Sequence, residues 1–166
     1  MSSWWILGFL IMERLFELVL ARRNRRKMID RGGREYFPET YRHIVILHVA
    51  FFVALIVESW PWRIPVDALT LFGLILLALT MTLRYWCIVT LKEHWNTRII
   101  VVPGTEPIRK GPYRFLRHPN YLAVTLEFAV IPLLLRAPLT LIVFCVLNLG
   151  ILRRRIALEE EALGEE

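Results

Sequence analysis

No Asp, Glu, Lys or Arg occurs between Ile44 and Val57, and the next long run, Val66–Leu91, carries only Asp67 and Arg84. Apolar stretches of this length constrain the chain more than anything else in it. About 20 such residues make a helix that crosses the hydrocarbon core. In lipid, only helices and closed barrels satisfy their own backbone groups. The spacing predicts membrane helices over 4–21, 42–58 and 66–91. Two shorter apolar runs, Tyr121–Leu135 and Pro138–Leu152, follow. Each is about 15 residues, or roughly 22 Å as a helix, and Pro138 is placed to start the second. Together they predict a short membrane hairpin, with an amphipathic piece, Arg153–Leu163, after it. The expected fold class is therefore an all-α polytopic integral membrane protein. It would have about five transmembrane or membrane-embedded helices in a single domain over 1–166.

The loops between these runs differ sharply in charge. Arg22, Arg23, Arg25, Arg26, Lys27, Arg31 and Arg34 occupy the first, and Lys92, Arg98, Arg109, Lys110, Arg114 and Arg117 the third. Arg153, Arg154 and Arg155 follow the last span, whereas the second loop offers only Arg63 and the hairpin tip only Arg136. Lys and Arg mark cytoplasmic loops. The N-terminus is expected outside, and the first loop, third loop and C-terminus inside. The formal net charge of +6 is thereby explained by an acidic membrane leaflet rather than by nucleic acid. The first segment lacks a basic start, and Glu13, Arg14 and Glu17 interrupt it, so it reads as a retained span rather than a signal peptide. Its charges are expected to pair inside the protein or to line a substrate path. Arg84 is expected to snorkel to the interface. Cys87 and Cys145 form neither a disulfide framework nor a metal spacing and read as packed thiols. His43 and His48, five apart, suit packing better than metal binding.

The third loop carries the chemistry. Thr97–Val102 (TRIIVV) is β-branched enough for an extended run, ended by Pro103-Gly104. His94, Trp95 and Asn96 precede it and would either flank a ligand or anchor at the headgroups. Lys110-Gly111-Pro112 marks a turn. Pro119 keeps His118 out of the helical region and suits the first turn of the helix that follows. His118 thus sits at a helix N-terminus, where free N–H groups favour an anion, with Tyr113 and Tyr121 nearby. At the C-terminus, Arg155 and Glu159 share a helix face one turn apart, while Glu160 and Glu161 point elsewhere. Taken alone, both stretches also fit an ordinary interfacial belt and a solvated helix end.

Gly111-Pro112-Tyr113, Arg117-His118-Pro119-Asn120-Tyr121 and Arg155…Glu159-Glu160 after a helical hairpin together resemble the isoprenylcysteine carboxyl methyltransferase family. The resemblance covers roughly 95–163. It implies an integral membrane enzyme using S-adenosylmethionine and releasing S-adenosylhomocysteine. By the same resemblance, Thr105, Glu106, Pro107, Ile108, Tyr113, His118, Pro119, Asn120, Tyr121 and Glu159 would hold the cofactor. Arg155 would face the substrate, and Arg155 and Glu159 would be the catalytic pair, with no metal. Compact bacterial relatives of the family also imply acceptors beyond a prenylcysteine carboxylate, such as a long-chain alkylpyrone or alkylresorcinol hydroxyl. No G-x-G-x-x-G occurs, so a soluble dinucleotide-type domain is not expected. Two rival functions remain at this stage: an NADPH-dependent membrane reductase of related architecture, and a non-catalytic membrane scaffold.

Overall fold

The computed structural model describes residues 2–164, which are mostly helical. The long helices are α1 (Trp4–Asp30), α2 (Glu39–Glu58), α3 (Ala68–Leu91), α4 (Pro119–Leu134) and α5 (Pro138–Gly164). Two short strands, β1 (Arg34–Tyr36) and β2 (Ile99–Val101), pair antiparallel, and 3-10 turns occupy Lys92–His94 and Gly111–Arg114. Helices α2 and α3 are long and apolar enough to cross a membrane.

The bundle is dressed for lipid. Met12, Val19, Ile46, Val57, Leu79, Val89 and Val146 are all more than half exposed, while Glu13, Glu17, Arg84, Glu127 and Asn148 are buried. Apolar groups outside and ionisable groups inside are what a low-dielectric solvent selects. The apolar core centres on Phe51 of α2, whose ring lies 4.3 Å from Phe128 of α4 and 5.5 Å from Phe144 of α5.

One end of the bundle is fastened by helix starts. Asp67 caps α3 by accepting the Thr70 N–H at 2.8 Å, and it also takes the Arg136 guanidinium at 2.6 and 2.7 Å. Glu58 at the end of α2 accepts the first free N–H groups of α5, from Leu139 and Thr140, at 2.8 and 2.7 Å. A carboxylate at a helix N-terminus satisfies otherwise orphaned donors and the positive dipole end. The basic end is fastened differently. Glu35 of β1 accepts from Arg25 and Arg98, and Lys27 and Arg31 clamp Glu93.

Several expectations shift. Helix α1 runs nine residues past Ala21, to Asp30, because Arg and Lys are good helix formers and nothing breaks the run. Helix α5 continues through Arg153–Leu163 for the same reason, so the hairpin arm and the amphipathic piece are one helix. The TRIIVV run is extended as expected, but its partner is β1, in the first basic loop. Arg84 does not snorkel. It is 3% exposed, and its Nε and Nη2 donate to Glu17 at 2.5 and 2.7 Å. The paired carboxylate holds it inside, where solvating it with lipid headgroups would require uncovering Glu17.

Candidate functional site

The site is built where α4 begins and α5 ends. Pro119 opens α4, and the His118 carbonyl accepts the N–H groups of Tyr121 and Leu122 at 3.1 and 3.2 Å. This fixes the His118 ring against the Tyr121 ring, with centroids 5.5 Å apart. From α5, Glu160 brings a carboxylate oxygen to 3.4 Å from His118 Nε2 and 3.7 Å from Arg117 Nη1. The junction therefore already attracts a carboxylate.

Tyr121 is the pivot. Its hydroxyl donates to Glu159 and accepts from Arg155 Nε at 2.9 Å. Arg155 is buried and its Nη2 donates to the Thr97 carbonyl at 2.6 Å, while its Nη1 is buried without a partner. A guanidinium N–H left free in a dry site is a donor waiting for an acceptor. Asn120 faces the other way. Its Oδ1 accepts from Arg84 Nη1 and from Trp95 Nε1, both at 3.3 Å. Trp95 does not anchor at headgroups: it is 1% exposed, its carbonyl accepts from Asn24 of α1 at 2.8 Å, and with Asn96 it lines the cavity that begins at Asn120 and Tyr121.

Tyr113 comes from the 3-10 turn against α3. Burial, then the neighbouring Cys87 thiol and Glu159 carboxylate, push its phenol well above the usual value, so it is a neutral donor. Its hydroxyl is buried against the Cys87 thiol, a weak partner at most, and has no hydrogen bond to an oxygen or nitrogen. Gly111 makes this placement possible. Its φ is +55°, and a Cβ there would meet Thr90 Oγ1 at 2.5 Å and Trp86 Nε1 at 3.0 Å. Gly111→Ala is expected to push the turn off α3 and displace Tyr113. Ligand affinity at the site should fall roughly tenfold, the worth of one lost hydrogen bond in a dry pocket. Wild-type affinity in a titration of that variant would show that the turn does not position Tyr113.

The structure thus gathers Tyr113, His118, Tyr121, Arg155 and Glu159. Thr105 turns back on the Val102 carbonyl. Glu106, Pro107 and Ile108 line a different, more polar cavity of about 910 Å³ beside Lys92–His94. A second cavity, of about 380 Å³, runs from Asn120, Tyr121 and Arg155 between α1 and α2, along Leu18, Phe52 and Val53. His48 lines it, whereas His43 is exposed. Expectations from sequence missed Thr97, Glu127 and Asn148. Glu127 had a signal, being a lone carboxylate in an apolar run. Thr97 had none, since it acts through its carbonyl.

A bundle with apolar outer walls, a buried ionic core and a polar pocket at its helix ends defines a membrane protein with an apolar cavity between helices that reaches that pocket. The sequence model of the isoprenylcysteine carboxyl methyltransferase (ICMT) family matches residues 71–165. The chain belongs to this family. An uncharacterized protein of Bacillus subtilis (strain 168), YpbQ, is 36% identical over 169 residues, covering 98% of this chain and 96% of the relative. An uncharacterized protein of Haemophilus influenzae (strain ATCC 51907 / DSM 11121 / KW20 / Rd) is 29% identical over 152 residues, covering 91% and 88%.

Proposed function

We propose that this protein is an S-adenosylmethionine-dependent O-methyltransferase acting on a lipophilic acceptor drawn from the bilayer. The observation that carries the reading is the Arg155–Tyr121–Glu159 chain of hydrogen bonds at the mouth of an apolar cavity. The residues suit the cofactor. Glu159 would accept from its ammonium group, Arg117 and His118 would exchange the Glu160 carboxylate for that of the cofactor, and the Tyr113 hydroxyl would offer a neutral donor. When bound, the cofactor supplies an activated methyl group on a sulfonium.

The chain's own work is to orient and to exclude water. Arg155 Nη1 holds the acceptor oxygen as an anion and points it out of the apolar cavity toward Tyr121. A prenylcysteine carboxylate or the acidic enol of an alkylpyrone arrives as an anion near neutral pH, whereas an alkylresorcinol phenol, with a pKa of about 10, would lose its proton only with help from the Arg155 charge. No strong base is then required, which favours O- over N-methylation. The 95–163 region supplies the site within one 1–166 domain, with the α4–α5 pair as the short membrane hairpin. The basic residues of the first and third loops and of the end of α5 favour a cytoplasmic site and C-terminus with the N-terminus outside.

Calorimetric titration of S-adenosylhomocysteine into detergent-purified protein tests this. Wild type should bind in the micromolar range, and Glu159→Ala and His118→Ala should each weaken binding roughly tenfold or more. Absence of binding by folded wild type overturns the reading.

A further inference from the structure

The cavity carries a polar station that methyl transfer at its mouth does not use. Asn148 of α5 is 1% exposed and lines the cavity, and its amide Nδ2 is buried with no hydrogen-bond partner among the described residues. A buried amide N–H without a partner is costly, and such groups in a native fold call for a ligand or water. The charged residues of the same wall differ from it. Arg14, Glu17 and Arg84 are committed to one another.

His48 of α2 stands at the same level. The two helices run antiparallel, since Glu58 at the end of α2 caps the start of α5 and Phe51 meets Phe144. Three residues back from Phe51 is His48, and four on from Phe144 is Asn148. Both line the cavity. His48 Nδ1 lies 2.9 Å from the Ile44 carbonyl, which can only accept, so Nδ1 carries the proton and Nε2 is an acceptor. Nε2 has no partner among the described residues. The cavity wall therefore carries an unpartnered amide N–H on α5 and an imidazole lone pair on α2. A hydroxyl satisfies both, accepting from Asn148 and donating to His48. A plain methylene satisfies neither, and a ketone satisfies only the first.

Asn148 is two turns before Arg155 on one helix, about 10 Å along its axis. We infer that the cavity holds a second polar subsite, Asn148 with His48, which takes a hydroxyl borne on the acceptor's chain about 10 Å from the oxygen held by Arg155. The inference rests on the proposed transfer only for which oxygen lies at the mouth. The acceptor class it names is a hydroxylated lipophile rather than a plain hydrocarbon tail.

The test uses full-length protein in nanodiscs, with octadecanoic acid and its monohydroxy positional isomers as probes. Equilibrium binding is measured first, and methyl transfer from S-adenosylmethionine separately. One narrow range of hydroxyl positions should bind roughly tenfold more tightly than the unsubstituted acid, as one satisfied buried pair provides. Asn148→Leu and His48→Phe, which keep size and, for the second, the ring packed on Phe128, should erase that ratio. Thermal unfolding of each variant establishes that it is folded. Equal binding of every isomer, no binding of any, or a ratio that survives both substitutions overturns the subsite. Selective binding without methylation keeps the subsite and rejects the transfer reading. Methylation without positional preference does the reverse.

Discussion

Arg84→Ala should destabilise the protein by about 3–5 kcal/mol, the usual cost of stripping one partner from a buried ion pair. Arg84 gives two hydrogen bonds to Glu17 and one to Asn120. Arg14 of α1 supplies the second guanidinium, donating to Glu17 at 2.6 Å and to Glu127 of α4. Glu13 lies beside them with neither oxygen hydrogen-bonded and Arg14 Nε 3.8 Å away. Without Arg84, the carboxylates of Glu13, Glu17 and Glu127 would share the single guanidinium of Arg14 in a region shielded from water. A fall of the melting temperature on the order of ten degrees is expected in detergent. Arg84→Lys should recover part of it, keeping the charge but not the two-pronged geometry. A drop of only a degree or two for the alanine variant would mean that the cluster is wetter than its burial indicates.

Tyr121→Phe should remove most methyl transfer while sparing the fold. The ring and its stacking on His118 survive, but the hydroxyl that joins Arg155 to Glu159 does not. Hydrogen bonds to charged groups are worth about 1.5–3 kcal/mol. Loss of both should reduce kcat/KM by roughly a hundredfold or more. Arg155→Ala should differ in kind, raising the KM for the acceptor more than that for S-adenosylmethionine. Steady-state kinetics with each substrate varied separately checks both. A Tyr121→Phe enzyme within about threefold of wild type would leave the hydroxyl with a packing role only.

Much of this arrangement is written locally in the chain. The apolar runs place α2 and α3 closely because lipid tolerates few alternatives. His118-Pro119 announces the start of α4 because proline acts on its own neighbours. Arg155 and Glu159 share a face by helical period alone. What escaped depends on distant partners. Strand β1, Arg-Glu-Tyr, has no alternation to betray it and forms only because β2 lies alongside. Arg84 looked interfacial because its partner, Glu17, lies 67 residues away. Asn148 sits in an apolar run as one polar residue among many candidates, and only the antiparallel packing of α2 and α5 gives it a neighbour. The gathering of Tyr113 with Tyr121 and Glu159 needed the tight Gly111 turn on α3, which depends on Thr90 and Trp86 as much as on glycine.

Helix α1 lies wholly outside the stretch that the family model matches, 71–165. Yet Glu17 neutralises Arg84, and Asn24 holds the Lys92 and Trp95 carbonyls at 2.9 and 2.8 Å. The recognisable portion is therefore not autonomous. A fragment starting near residue 71 would expose an unmatched guanidinium to lipid and free the tryptophan that braces Asn120. Chimaeras between relatives should exchange the first helix together with the third and fourth, since the three share one set of counter-ions.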